Sequence, residues 1–246
     1  MSGFTWGFLS DMMMPEMENS IRWGDQASAT MNIFIDPGSA VKSFVGKYPW
    51  LLPFLLVCIV SVVLGWMMGP VMIRVFQANP PENVKAEQME QAMTVMGIMT
   101  KVGVLSVPLI HAEKLLLVGA LIAALSTMMS VKTDWKQQFT LLAYASMVQL
   151  LQGIAAFVVV MAKGSDIQSM QELNPPFGLN IFLTELPKAV DGLLGYFSIF
   201  TIWYLVVLLV GYSKMTGASK GQAMIALIPA WALGALMAMV SSLFQQ

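Results

Sequence analysis

Residues 188–244 read KAVDGLLGYFSIFTIWYLVVLLVGYSKMTGASKGQAMIALIPAWALGALMAMVSSLF, two apolar stretches at 188–212 and 222–244 joined by the polar turn 213–221. Each stretch matches the roughly 20 residues that a helix needs to cross a bilayer core. The reading is a transmembrane helical hairpin. Its second helix sets Ala226, Ala230, Gly234, Ala238 and Ser242 at successive i+4 positions. Such a row of small side chains lets another helix lie with its backbone close.

Composition extends this reading to the whole chain. An apolar fraction of 57%, a charged fraction of 11% and a mean hydropathy of +0.70 over 246 residues lie outside the soluble range. Further apolar runs fall at about 50–72, 109–131 and 139–162, so the expected fold is all-α and polytopic, with five spans plus short interfacial helices. Residues 33–246 form one membrane domain, and residues 1–32 a separate N-terminal segment, interfacial or mobile. That segment has no signal-peptide pattern, and Phe4, Trp6, Phe8 and Leu9 fit a short interfacial helix.

A formal net charge of −1 argues against nucleic acid as a partner, because phosphate binding needs clustered Lys and Arg. Cys58 is the single cysteine and His111 the single histidine, so neither a disulfide nor the usual zinc ligand set is available. No catalytic residue, cofactor or metal site is expected.

Between the segments lie the local signals. Asp36-Pro37 suits a helix start, which would put Val41, Phe44 and Val45 on one side and Lys42 toward headgroups. Tyr48, Pro49 and Trp50 then sit at the membrane interface. Gly65 and Gly69 form a GxxxG pair in the first span, a close contact either within the chain or with a second copy. Pro70 is expected to end or kink that span. A polar helix begins near Glu82, Glu87 and Glu90, and Pro108 separates it from the second span. His111, Glu113 and Lys114 start that second span and read as interfacial anchors, with an ion or proton role as the alternative. Gln149 and Gln152, mid-way along the third span, need amide partners from another helix, or else line a solute path. Lys188 and Asp191 stand one turn apart and suit a local ion pair.

Positive charge sets the topology. Lys42 and Lys47, Lys132 and Lys136, and Lys214 and Lys220 mark three segments expected on the cytoplasmic side, with the N-terminus inside and the C-terminus outside. Arg74, Lys85, Lys101 and Lys163 fall on the other side. The expected location is a cell inner (cytoplasmic) membrane.

Three stretches carry a resemblance: FIDPGSAVKSFVGKYPWLLPFLL at 34–56, LLAYASMVQLL at 141–151 and FSIFTIWYLVVLLVGYSKMTGASKGQA at 197–223. In order and spacing the chain from residue 34 onward resembles the bacterial branch of the Yip1 family. The resemblance implies a five-span integral membrane protein. Eukaryotic relatives are associated with Rab GTPases and vesicle trafficking, a role that requires a long soluble N-terminal region and is not expected of this sequence. It implies no catalytic residue. The function expected is a non-enzymatic scaffold or accessory subunit, contacting lipids and other integral membrane proteins or itself, with a transporter or channel as the alternative.

Overall fold

The computed structural model describes residues 23–80, 88–183 and 186–243, apart from the side chains of Gln171, Pro229 and Ala230. The helices are α1 (Trp23–Asn32), α2 (Pro37–Phe44), α3 (Leu51–Ala78), α4 (Met89–Met128), α5 (Trp135–Lys163), α6 (Lys188–Tyr196), α7 (Ile199–Thr216) and α8 (Lys220–Leu243). Short 3-10 turns at Gly164–Asp166, Gln171–Leu173 and Leu179–Phe182 connect α5 to α6. Among the described residues α3, α4, α5, α7 and α8 are the five helices long and apolar enough to cross a membrane. The protein is an all-helical membrane protein with five candidate spans. The interfacial helix read at Phe4–Leu9, and the helix start read at Glu82 and Glu87, lie outside the described residues.

α2 begins as its sequence dictates. The Asp36 carboxylate accepts from the Ser39 backbone N–H at 3.0 Å and the Ser39 hydroxyl at 2.6 Å, and Pro37 occupies the first turn. Those bonds hold the Asp36 carboxyl below the usual carboxylate range. Val41 and Phe44 are buried, but Val45 is exposed, contrary to expectation. The helix stops at Phe44, and the extended backbone at Val45 turns that side chain away from the Val41 face.

Two prolines fail to interrupt their helices. Pro70 lies inside α3 and Pro108 inside α4, so the polar helix and second span expected as separate elements are one helix of 40 residues. Proline removes one N–H, but ending the helix in an apolar medium would strand several more backbone groups. Neighbours hold both regions: Gly69 packs against Thr100 of α4, and Gly65 against the buried Val104, whose carbonyl faces the missing Pro108 N–H.

The stretch 188–212, read as one span, divides instead. α6 ends at Tyr196, and Ser198 caps α7, its hydroxyl accepting from the Thr201 N–H at 3.0 Å. An isolated antiparallel bridge joins Gly178 to Ser198, and Gly178 lies so close to the Gly195 carbonyl that a Cβ there would overlap it. Tyr196 and Phe197 keep the sequence apolar across this break, so hydropathy alone passes over it. The turn between α7 and α8 uses Gly217 at φ +71°. Beyond it Ser219 and Gln222 bond reciprocally, each backbone N–H to the other's side chain, at 3.0 and 3.3 Å. This is a capping box.

The core gathers α1, α2, α3, α4, α5, α7 and α8. Phe44 stacks on Tyr144 with ring centroids 4.6 Å apart. Gly211 of α7 meets the Leu141 side chain where α5 and α7 cross, and Ala223, Ala226 and Leu227 bring α8 onto the same cluster. Deep inside, the Ser126 hydroxyl bonds the Ile122 carbonyl and the Tyr212 hydroxyl, each at 2.6 Å, tying α4 to α7.

Candidate functional site

Polar side chains concentrate in three places. At one end, the three lysine-bearing segments converge: Val45 and Gly46, Lys132 to Asp134, and Met215 and Thr216 surround a single cavity of about 390 Å³. Asp134 organises this end. One of its oxygens caps α5 by accepting from the Lys136 N–H at 2.8 Å, and the other accepts from the Tyr48 hydroxyl at 2.6 Å. That bond to a carboxylate raises the Tyr48 pKa above the usual phenol value. The Lys136 ammonium stands 5.4 Å from the Tyr48 ring centroid, and Trp50 meets Phe139 edge-on at 5.3 Å.

The opposite end is tied by hydrogen bonds between α3 and the loop after α5. The Arg74 guanidinium donates to the Gly164 carbonyl at 2.6 Å, and the Asn79 amide donates to the Gln168 carbonyl. Glu172 accepts from the Gln168 N–H and the Ser169 hydroxyl, both at 3.2 Å, and pairs with Lys163 at 3.4 Å. The Gln168 bond, with these partners, keeps its carboxyl below the ordinary range. Asp191 accepts from the Asn180 amide at 3.0 Å.

The third place lies within the spans, where His111, Glu113 and Lys114 do not form one group. At about 100° per residue Glu113 points away from His111, while His111 and Lys114, three positions apart, share a face but meet different helices across it. The His111 ring stacks on Phe54 of α3 at 5.5 Å, its Nε2 buried without a hydrogen-bond partner among the described residues. Glu113 is exposed. Lys114 Nζ donates to Gln149 Oε1 of α5 at 2.8 Å, and Gln152 Oε1 accepts from the Ser198 hydroxyl at 3.3 Å. The two glutamines are thus bonded to different neighbours. A Lys114→Met/Gln149→Leu double-mutant cycle in detergent is expected to give a coupling of about 0.6–1.7 kcal/mol, the range of interhelical hydrogen bonds in membranes. Additive losses would show that the pair does not act as one.

Both surfaces of small residues are filled from within the chain. Gly65 and Gly69 receive α4. On α8, Ala226 is fully buried, Gly234 lies against Tyr196, and Ala238 and Ser242 lie against Gly192, both partners belonging to the chain itself. The Ser242 hydroxyl donates to the Lys188 carbonyl at 2.7 Å. The side chain of Ala230 lies outside the described ones. The helix that uses this row is α6, which the hydropathy reading had merged into a span.

Sequence reasoning missed Gln138, which lines the lysine-end cavity with its carboxamide buried, and the Ser126–Tyr212 bond. Gln138 follows the Asp134 cap by four residues, which places it in the first turn of α5. That spacing was its one signal.

The family model described as Yip1 domain matches residues 31–242. Neither the curated proteins nor the solved structures give a match.

Proposed function

The chain belongs to the Yip1 domain family, and from that premise we propose that it is a non-enzymatic scaffold or accessory subunit, held to other membrane proteins by helix contacts. One observation carries the reading. α4 has 40 residues and so is about 60 Å long at 1.5 Å per residue, twice the roughly 30 Å of a hydrocarbon core. The average helix tilt of about 20° takes up little of that excess. Along its first half, Val95, Ile98, Met99, Val102 and Leu105 form an exposed apolar stripe at helical spacing. More apolar helix surface is present than a single bilayer crossing covers, and a neighbouring protein's helix is a natural cover.

The test is the mass and composition of the particle extracted from its native membrane under mild conditions. Polypeptides at fixed stoichiometry, lost on Leu105→Gln with Tm unchanged, are the expected result. A pure monomer would overturn the reading. The alternative, solute or ion transport, draws on the unpartnered Nε2 of His111 close to Lys114. Pairing of Gln149 and Gln152 within the chain weighs against it, and liposome flux abolished by His111→Phe would favour it.

The orientation we propose puts the lysine-rich end in the cytoplasm of a cell with this protein in its inner membrane, N-terminus inside. A cysteine replacing the exposed Lys220, in a Cys58→Ala background, is expected to react with an impermeant maleimide only after the cells are opened. Labelling of intact cells would invert the topology.

A further inference from the structure

The cavity at the lysine-rich end has a wall that nothing among the described residues explains. Gln138 is 2% exposed, and both its Nε2 and Oε1 are buried without a hydrogen-bond partner among the described residues. A buried polar atom left unpaired costs about 1–3 kcal/mol, so an amide with neither end paired among the described residues is an expensive feature. Gln138 lines a cavity of about 390 Å³, within the size range of small-molecule sites. Lys132 and Asp134 bring opposite charges to the same cavity, while Val45 and Met215 supply apolar wall. Tyr48 and Trp50, joined to Asp134 and Phe139, mark this end as the level of the lipid headgroups.

The geometry points to a binding site for the phosphoethanolamine headgroup of a phospholipid. A headgroup of this kind carries a phosphate and a primary ammonium a few bonds apart, matching the paired charges of the cavity. The phosphate accepts from Gln138 Nε2 and Lys132 Nζ. The ammonium donates to Gln138 Oε1 and to Asp134. A carboxylate offers about four lone-pair sites, so Asp134 retains acceptor capacity beyond its bonds to Lys136 and Tyr48. Choline has no N–H to donate, and glycerol brings no positive charge. The site therefore discriminates among headgroups by hydrogen-bond donors as well as by charge.

The experiment uses the full chain purified in detergent and stripped of lipid. It is titrated with phosphatidylethanolamine, phosphatidylcholine and phosphatidylglycerol of identical acyl chains, and separately with O-phosphoethanolamine, and bound lipid is read by native mass spectrometry. Phosphatidylethanolamine is expected to be retained about fivefold over the other two, the discrimination that one net hydrogen bond supplies. Gln138→Leu, nearly the same shape without the amide, is expected to abolish that preference without lowering Tm. Lys132→Ala, at an exposed position, is expected to lower retention of all three lipids about threefold, and that loss tests the phosphate seat if Gln138→Leu does not fold. Equal retention of phosphatidylethanolamine and phosphatidylcholine, a preference that survives Gln138→Leu, or retention unchanged by Lys132→Ala would overturn the proposal. Occupation by O-phosphoethanolamine as readily as by lipid would overturn the lipid as its source.

Discussion

Gly192→Ala is expected to destabilise the protein by about 1–3 kcal/mol, the usual range for overpacking, against the ordinary direction of this substitution. In a helix interior, alanine is favoured over glycine by about 0.5–1 kcal/mol because it leaves less backbone freedom to lose. At Gly192 the added Cβ would sit 2.6 Å from the Ala238 carbonyl oxygen and overlap the Ser242 side chain. A backbone oxygen cannot rotate aside, so α6 must lift from α8 and the bond from Ser242 to the Lys188 carbonyl is lost with it. Gly153 in α5 supplies the control, since a Cβ there meets nothing within 4 Å. Gly153→Ala should leave Tm unchanged or raise it. If the two substitutions shift Tm alike in the same detergent, the close packing of α6 on α8 is not what limits stability.

Phe44→Ala is expected to cost about 3–5 kcal/mol, the largest single loss among the side chains considered, and to release α2 from the bundle. Phe44 is 1% exposed and lies face to face with Tyr144, which is itself fully buried. Truncation removes the ring and leaves a void lined by α5 and α7, whose own crossing at Leu141 and Gly211 is too tight to close over it. Val45→Ala next door, at a side chain that is already exposed, should change little. Hydrogen exchange separates the possibilities: the amides of α2 should lose protection while those of α5 keep theirs. Uniform loss along both helices would mean that α2 is not an independently docked element, and unchanged protection would remove Phe44 from the core.

Much of this architecture is legible from composition and spacing, because lipid imposes a simple rule: every backbone group must be satisfied within its helix. The apolar runs, the Asp36-Pro37 start and the lysine-bearing turns follow directly. Pro70, Pro108 and Ser198 show where that reading stops. Local rules treat proline as a stop and an unbroken apolar run as one helix, yet packing carries α3 and α4 through their prolines, while a serine cap and the Gly178 contact divide an apolar run at Ser198. The candidate site was less legible. His111, Glu113 and Lys114 adjoin in sequence, but helical geometry turns Glu113 away from the face that His111 and Lys114 share, whereas Gln138 acquires its significance from segments distant in the chain.

The seat of α6 on α8 also sets an order in time. Gly192 precedes Ser242 by 50 residues, with the whole of α7 between them. At synthesis rates of about 5–20 residues per second, α6 leaves the ribosome some 2.5–10 s before the helix that receives it is complete. Throughout that interval the newborn chain holds a short helix whose glycine face has no mate, so its final lock forms last, after the other spans have entered the membrane.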